Sequence, residues 1–216
     1  MTAPASGESL LEFLAVMRRL RAECPWKRAQ THRSLARYLL EETHETLEAI
    51  DVGDASGDWD HLREELGDLL LQVYFHAVIA EEAGSFSLDD VARGIDDKMH
   101  RRNPHVFGPA GGPTELTATE VDAQWQEIKA EERLDRLHDR EPSAYDGIAA
   151  GLPALLLATK ILERVPDARA GLPDAGDAAA ELGDRLLALV AEATGSGLDP
   201  EQALRDAVRR AVSPGR

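Results

Sequence analysis

From Leu69 to Ala80 the chain reads Leu-Leu-Leu-Gln-Val-Tyr-Phe-His-Ala-Val-Ile-Ala, and no other stretch restricts the fold as strongly. It lies inside a helical pattern running from about Asp58 to Ala83, and a helix apolar nearly all the way round must be covered on every side. Neighbouring helices of the same module cover one face. Leu40 and Leu47 on the preceding helix add apolar surface that also needs a partner. Two covers are open: a second copy of the chain, with this helix in a homodimer interface, or the C-terminal half folded back to leave a monomer.

No window alternates with period two, so the fold class is all-α. A first helix follows Ser9, which has capping-box spacing to Glu12, and it ends near Glu23. Cys24-Pro25-Trp26 breaks it. A second helix spans about Ser34 to Asp51, and the third, just described, is followed by Gly84 as its C-cap. Ser87 opens a fourth helix that Pro104 stops. Gly108 to Thr117 reads as a linker or flap, and Thr117 with Glu120 caps a fifth helix carrying Trp125 and Ile128. Three more helices follow at about Pro153 to Val165, Ala178 to Thr194 and Asp199 to Val212. The domain reading is a flexible tail over 1–8, a catalytic helical module over 9–135, a linker over 136–150 and a truncated second module over 151–216.

Charge narrows the function. With 40 acids against 24 bases the 216-residue chain carries −16, which repels a polyphosphate backbone and disfavours a nucleic-acid partner. A small anionic substrate would need a metal to bridge it. One cysteine, Cys24, excludes an internal disulfide framework. The absence of a signal-like or membrane-spanning apolar run makes the cytoplasm the expected compartment, with no membrane partner.

The acids concentrate in Glu41-Glu42-Thr43-His44-Glu45 on the second helix and Glu65-Leu66-Gly67-Asp68 on the third. At about 100° per residue Glu42 falls within the stripe of Leu35, Leu39, Ala49 and Ile50. Glu45 stands one turn on at its edge, beside Tyr38. Glu65 borders the line of Leu62, Leu66, Leu69 and Val73, with Asp68 three residues later. Two such acid pairs on neighbouring antiparallel helices can converge four carboxylates, and hard oxygen ligands suit Mg²⁺, with Mn²⁺ as a substitute. A solvated acidic face accounts for Glu41, Glu48 and Glu64, but not for a carboxylate among core positions. A di-iron bundle needs a second Glu-x-x-His besides Glu41 and His44, and the sequence has none.

With this motif the chain resembles the MazG family of the all-α NTP pyrophosphatase superfamily. The resemblance rests on Glu41, Glu42 and Glu45, then Glu65 and Asp68, flanked by Cys24-Pro25-Trp26, Gln30-Thr31-His32, Asp97-Lys98, Arg101-Arg102 and Pro104-His105-Val106-Phe107. It covers about Leu10 to Arg133. Lys27 departs from it where an Asp is usual, and Asn103 where a His is common. The resemblance implies a dimeric helical bundle and Mg²⁺-dependent cleavage of an NTP or dNTP to the monophosphate and pyrophosphate. It further implies metal ligation by Glu42, Glu45, Glu65 and Asp68, with Glu41 near the attacking water. Two alternatives are hydrolysis of another pyrophosphate-linked nucleotide, such as phosphoribosyl-ATP, and a non-catalytic module binding nucleotide or protein.

Lys98, Arg101 and Arg102 share one side of the fourth helix and are candidate phosphate contacts, unless they only stabilise its C-terminus. Lys129, with Arg133, is a weaker candidate. Trp26 and Trp125 could stack on a base or serve as core. Glu65-Leu66-Gly67-Asp68 recurs as Glu181-Leu182-Gly183-Asp184, and an Arg pair follows each copy, at Arg101-Arg102 and Arg209-Arg210. That echo reads as a duplicated module, degenerate in its second copy because no Glu-Glu-x-x-Glu precedes Glu181.

Overall fold

The computed structural model describes residues 7–109, 116–137, 143–165 and 177–212. Met1 to Ser6 of the expected tail, the centre of the Gly108 to Thr117 flap, residues 138–142 of the linker and most of the Val165 to Asp177 stretch lie outside these. Within them the chain is all-α, with no strand, and forms two compact units, Met1–Glu115 and Leu116–Arg216.

The first unit holds α1 (Glu8–Glu23), α2 (Pro25–Ala29), α3 (His32–Ser56), α4 (Asp60–Glu82), α5 (Leu88–Arg102) and α6 (Pro104–Phe107). The boundaries follow local chemistry. Thr31 Oγ1 accepts from the Ser34 amide at 3.1 Å and Ser34 Oγ accepts from the Thr31 amide at 2.9 Å, so α3 starts at a capping box, two residues before the expected Ser34. At the far end α3 runs through Gly53 to Gly57, whose φ is 77°. The Trp59 ring lies over Gly53, where a Cβ would stand 2.4 Å from it, so only glycine fits. Gly84, at φ 68°, ends α4 in a Schellman motif: its amide donates to the Glu81 carbonyl at 3.0 Å and the Ser85 amide to that of Ala80 at 2.9 Å. Ser87 and Asp90 cap α5 reciprocally.

Two expectations are corrected and a third is extended. Ser9 and Glu12 form no capping box, because α1 begins two residues earlier, behind Gly7 at φ 93°. Cys24-Pro25-Trp26 breaks the first helix after Glu23 as expected, and Pro25 also starts a short second one, since it stands at a first helical position, where a missing amide costs nothing. The line of Leu66 and Val73 is exposed in the single chain, at 52% and 44%. The reason is that α4 turns its opposite face, with Tyr74, Phe75 and Val78, onto Leu14 and Met17 of α1 and Leu35 of α3. Within the first unit α1, α3 and α5 cover most of the apolar helix, and the stripe with Leu66 and Val73 is left open.

Arg21 fastens the far end of this core. Its side chain is buried, its Nε donates to Glu82 Oε1 at 2.9 Å, and its Nη1 donates to the carbonyls of Arg28 and Gln30, each at 3.1 Å. One guanidinium thus joins the ends of α1, α2 and α4.

The second unit holds α7 (Ala118–Leu137), α8 (Ala154–Arg164), α9 (Ala178–Gly195) and α10 (Pro200–Val212). Thr117 and Glu120 cap α7 as expected. Helices α8, α9 and α10 pack pairwise around buried Leu162 and Val190. Among the described residues no helix is long and apolar enough to cross a membrane.

Candidate functional site

Helices α3 and α4 are antiparallel neighbours, packed more extensively than any other pair in the unit, and this brings the two acid motifs together. Glu42, Glu45 and Glu65 each present a carboxylate oxygen, and the three lie within 4.8 Å of one another. Oxygens on one Mg²⁺ stand at most about 4.2 Å apart, twice its bond length of about 2.1 Å, so this trio suits one hard cation after a small inward movement. Thr46, buried one turn beyond Glu42, donates its hydroxyl to the Glu42 carbonyl at 2.7 Å.

The electrostatics agree with the geometry. Glu42 is half-buried, as its place in the apolar stripe requires, and its pKa is raised above the usual carboxylate range. Desolvation is the largest cause, followed by the charges of Asp68, Glu45 and Glu65. Asp68 therefore acts on Glu42 electrostatically while standing outside the close trio. Four converging negative charges with no cation raise the free energy of the site, and a divalent ion offsets that cost.

The other candidates fall at varied distances from the trio. Glu41 is exposed; one turn before it the pKa of Arg37 is raised, chiefly by the hydrogen bond to Tyr38 and least by the charge of Glu41. Glu64 faces solvent, as expected. On α5, which packs on α4, Lys98 and Arg102 are half-buried and Arg101 is exposed. Trp26 is 50% exposed, with its ring edge-to-face with Tyr38 at 6.0 Å and Lys27 Nζ 5.6 Å from its centre. Tyr38 is one turn before Glu42 on α3, which sets Trp26 along the helix from the acids. Lys129 lies on α7 of the second unit, its Nζ 5.3 Å from the Trp125 ring. Glu181 and Asp184 sit on α9, and among the described residues they belong to no cluster of three metal-binding side chains.

Sequence reasoning missed His61. Its Nε2 lies 2.9 Å from Glu65 Oε1, and the Glu65 side chain is only 13% exposed. The i,i+4 spacing was the available signal. It also missed His32 and His76, whose Nδ1 atoms lie 2.8 Å apart across α3 and α4 in nearly parallel rings. That pair could not be inferred before the helix register was known.

Comparison with known proteins bears on the same segment. Residues 30–107, which contain every acid of the trio, match the MazG nucleotide pyrophosphohydrolase domain. The chain is 46% identical to a nucleoside triphosphate pyrophosphohydrolase of Mycolicibacterium smegmatis over 79% of its length, covering 49% of that protein. It is 45% identical to one of Escherichia coli K12 over 70% of its length, covering 55% of that protein. The chain thus spans about half the length of these two relatives. Against the nucleoside triphosphate pyrophosphohydrolase/pyrophosphatase MazG of Thermotoga maritima it is 37% identical over 93% of its length, covering 82% of that protein. With near end-to-end similarity to that protein, and with the domain match falling on the paired acid helices, the chain belongs to the MazG nucleotide pyrophosphohydrolase family.

Proposed function

We propose that the chain hydrolyses nucleoside or deoxynucleoside triphosphates to the monophosphate and pyrophosphate, at a Mg²⁺ site made by Glu42, Glu45, Glu65 and Asp68. The observation that carries this reading is the approach of three carboxylate oxygens to within 4.8 Å beside a fourth acid whose charge reaches Glu42. The names of the M. smegmatis, E. coli and T. maritima relatives support the same activity. Mn²⁺ satisfies the same oxygen donors.

A bound divalent cation supplies neutralisation of the triphosphate charge and acidifies water enough for attack at neutral pH. The protein's own groups do the rest. Glu41, exposed next to Glu42, accepts the water proton on its carboxylate. Lys98, Arg101 and Arg102 hold the phosphates from α5, where cationic side chains match phosphate oxygens. Trp26, half open to solvent, stacks on the base. Residues 151–216 form a degenerate second module without a metal site of their own, since Glu181 and Asp184 lack the upstream acids. Leu66 and Val73 on α4, with Leu40 on α3, are covered by a second copy of the chain in a homodimer. The reaction belongs to the cytoplasmic nucleotide pool.

A panel of NTPs and dNTPs with Mg²⁺, read by separation of the products, tests the reading. Monophosphate and pyrophosphate are the expected products, with activity lost in EDTA. Diphosphate and orthophosphate as first products, or full activity in EDTA, would overturn it.

A further inference from the structure

We propose that His61 is a positioning residue of the carboxylate site, holding Glu65 in the orientation that serves the cation. This rests on the metal-site reading above. His61 stands in the first turn of α4, one turn before Glu65, with its Nε2 2.9 Å from Glu65 Oε1. The imidazole is 48% exposed and the Glu65 side chain only 13%.

The need for such a neighbour follows from the charges. Glu65 has three rotatable side-chain bonds and faces Glu42, Glu45 and Asp68, all of the same sign. Left alone it lowers its energy by swinging toward water. A donor on one of its two oxygens opposes that swing and leaves the other oxygen for the cation. An imidazole suits this place better than Lys or Arg, because it can donate from Nε2 while uncharged and so adds no fixed positive charge to repel the metal. Outer donors of this kind orient metal ligands elsewhere, and their loss typically costs about 10–100-fold in metal affinity.

The test is Mn²⁺ binding to the full chain by electron paramagnetic resonance, without substrate, for the wild type, His61→Ala and His61→Gln. His61→Ala is expected to weaken Mn²⁺ binding about tenfold or more, with the thermal midpoint of the metal-free protein unchanged. His61→Gln, which can still donate to Glu65, is expected to restore most of the affinity. Equal Mn²⁺ affinity in the wild type and His61→Ala would overturn the role assigned to His61. So would a loss in His61→Ala that His61→Gln does not repair, or one matched by an equal fall in the metal-free midpoint, since each marks a merely structural residue. Failure of the wild type to bind Mn²⁺ would instead overturn the metal-site reading itself.

Discussion

At the scale of single residues, Glu42 concentrates the conflict on which the site depends. Its place on the helical wheel could be read from the sequence, because periodicity alone puts it between Leu35 and Ala49, both buried. The consequence is a carboxylate whose folded pKa is raised above its unfolded value. As pH rises through that raised value, the folded state must ionise Glu42 against burial and three like charges, and the metal-free protein loses stability. Glu42→Gln removes this penalty, so it is expected to raise the metal-free thermal midpoint at neutral pH while lowering kcat more than tenfold at saturating Mg²⁺, a loss above about 1.4 kcal/mol. Asp68→Asn is expected to do the same. Calorimetry without metal and steady-state rates with it check both halves, and a variant that keeps more than a tenth of wild-type kcat marks a residue that is not a principal ligand. His61 stayed out of the sequence reading for a different reason: an i,i+4 pair is visible in the sequence, but which Glu in an acidic chain needs a partner depends on packing.

At the scale of elements, most helices were legible because their ends carry local chemistry. Ser87, Thr117 and Gly84 each act through backbone groups within a few residues. What depends on distant partners was not legible. Arg21 looks like one more cation on an amphipathic helix, and its role appears only when Glu82, 61 residues away, is brought to it. Its guanidinium holds Glu82 below the usual carboxylate range, chiefly through the hydrogen bond. A depressed folded pKa gives stability that is present above the unfolded value near 4.5 and lost as pH falls through the lower folded one. Arg21→Met is expected to cost about 1–2 kcal/mol near neutral pH, chiefly because it leaves the carbonyls of Arg28 and Gln30 without their donor, while Glu82, 46% exposed, regains water. The gap in thermal midpoint between wild type and variant should narrow as pH falls below about 4.5, where Glu82 becomes protonated. Circular-dichroism melts across the acid range check this, and a gap that stays constant would show that the ion pair contributes nothing to the joint.

At the scale of the whole molecule, the run from Leu69 to Ala80 called for cover all round, and within the first unit α1, α3 and α5 pack on this helix while Leu66 and Val73 stay exposed. The sequence could not say how α4 would turn, because Leu66 and Val73 are as apolar as the residues that are buried. Light scattering is expected to give twice the chain's 23.5 kDa at micromolar concentration, and Val73→Glu to shift it toward the single mass. A wild-type mass of 23.5 kDa would refute the homodimer. In the proposed reaction the acids of α3 and α4 direct water to the α-phosphorus of a nucleoside triphosphate, which single-turnover hydrolysis in ¹⁸O-labelled water tests, with Mg²⁺ present and the products weighed by mass spectrometry. Attack at the α-phosphorus places one ¹⁸O atom in the nucleoside monophosphate and none in pyrophosphate; label in the pyrophosphate, or release of orthophosphate in its place, would rule that chemistry out.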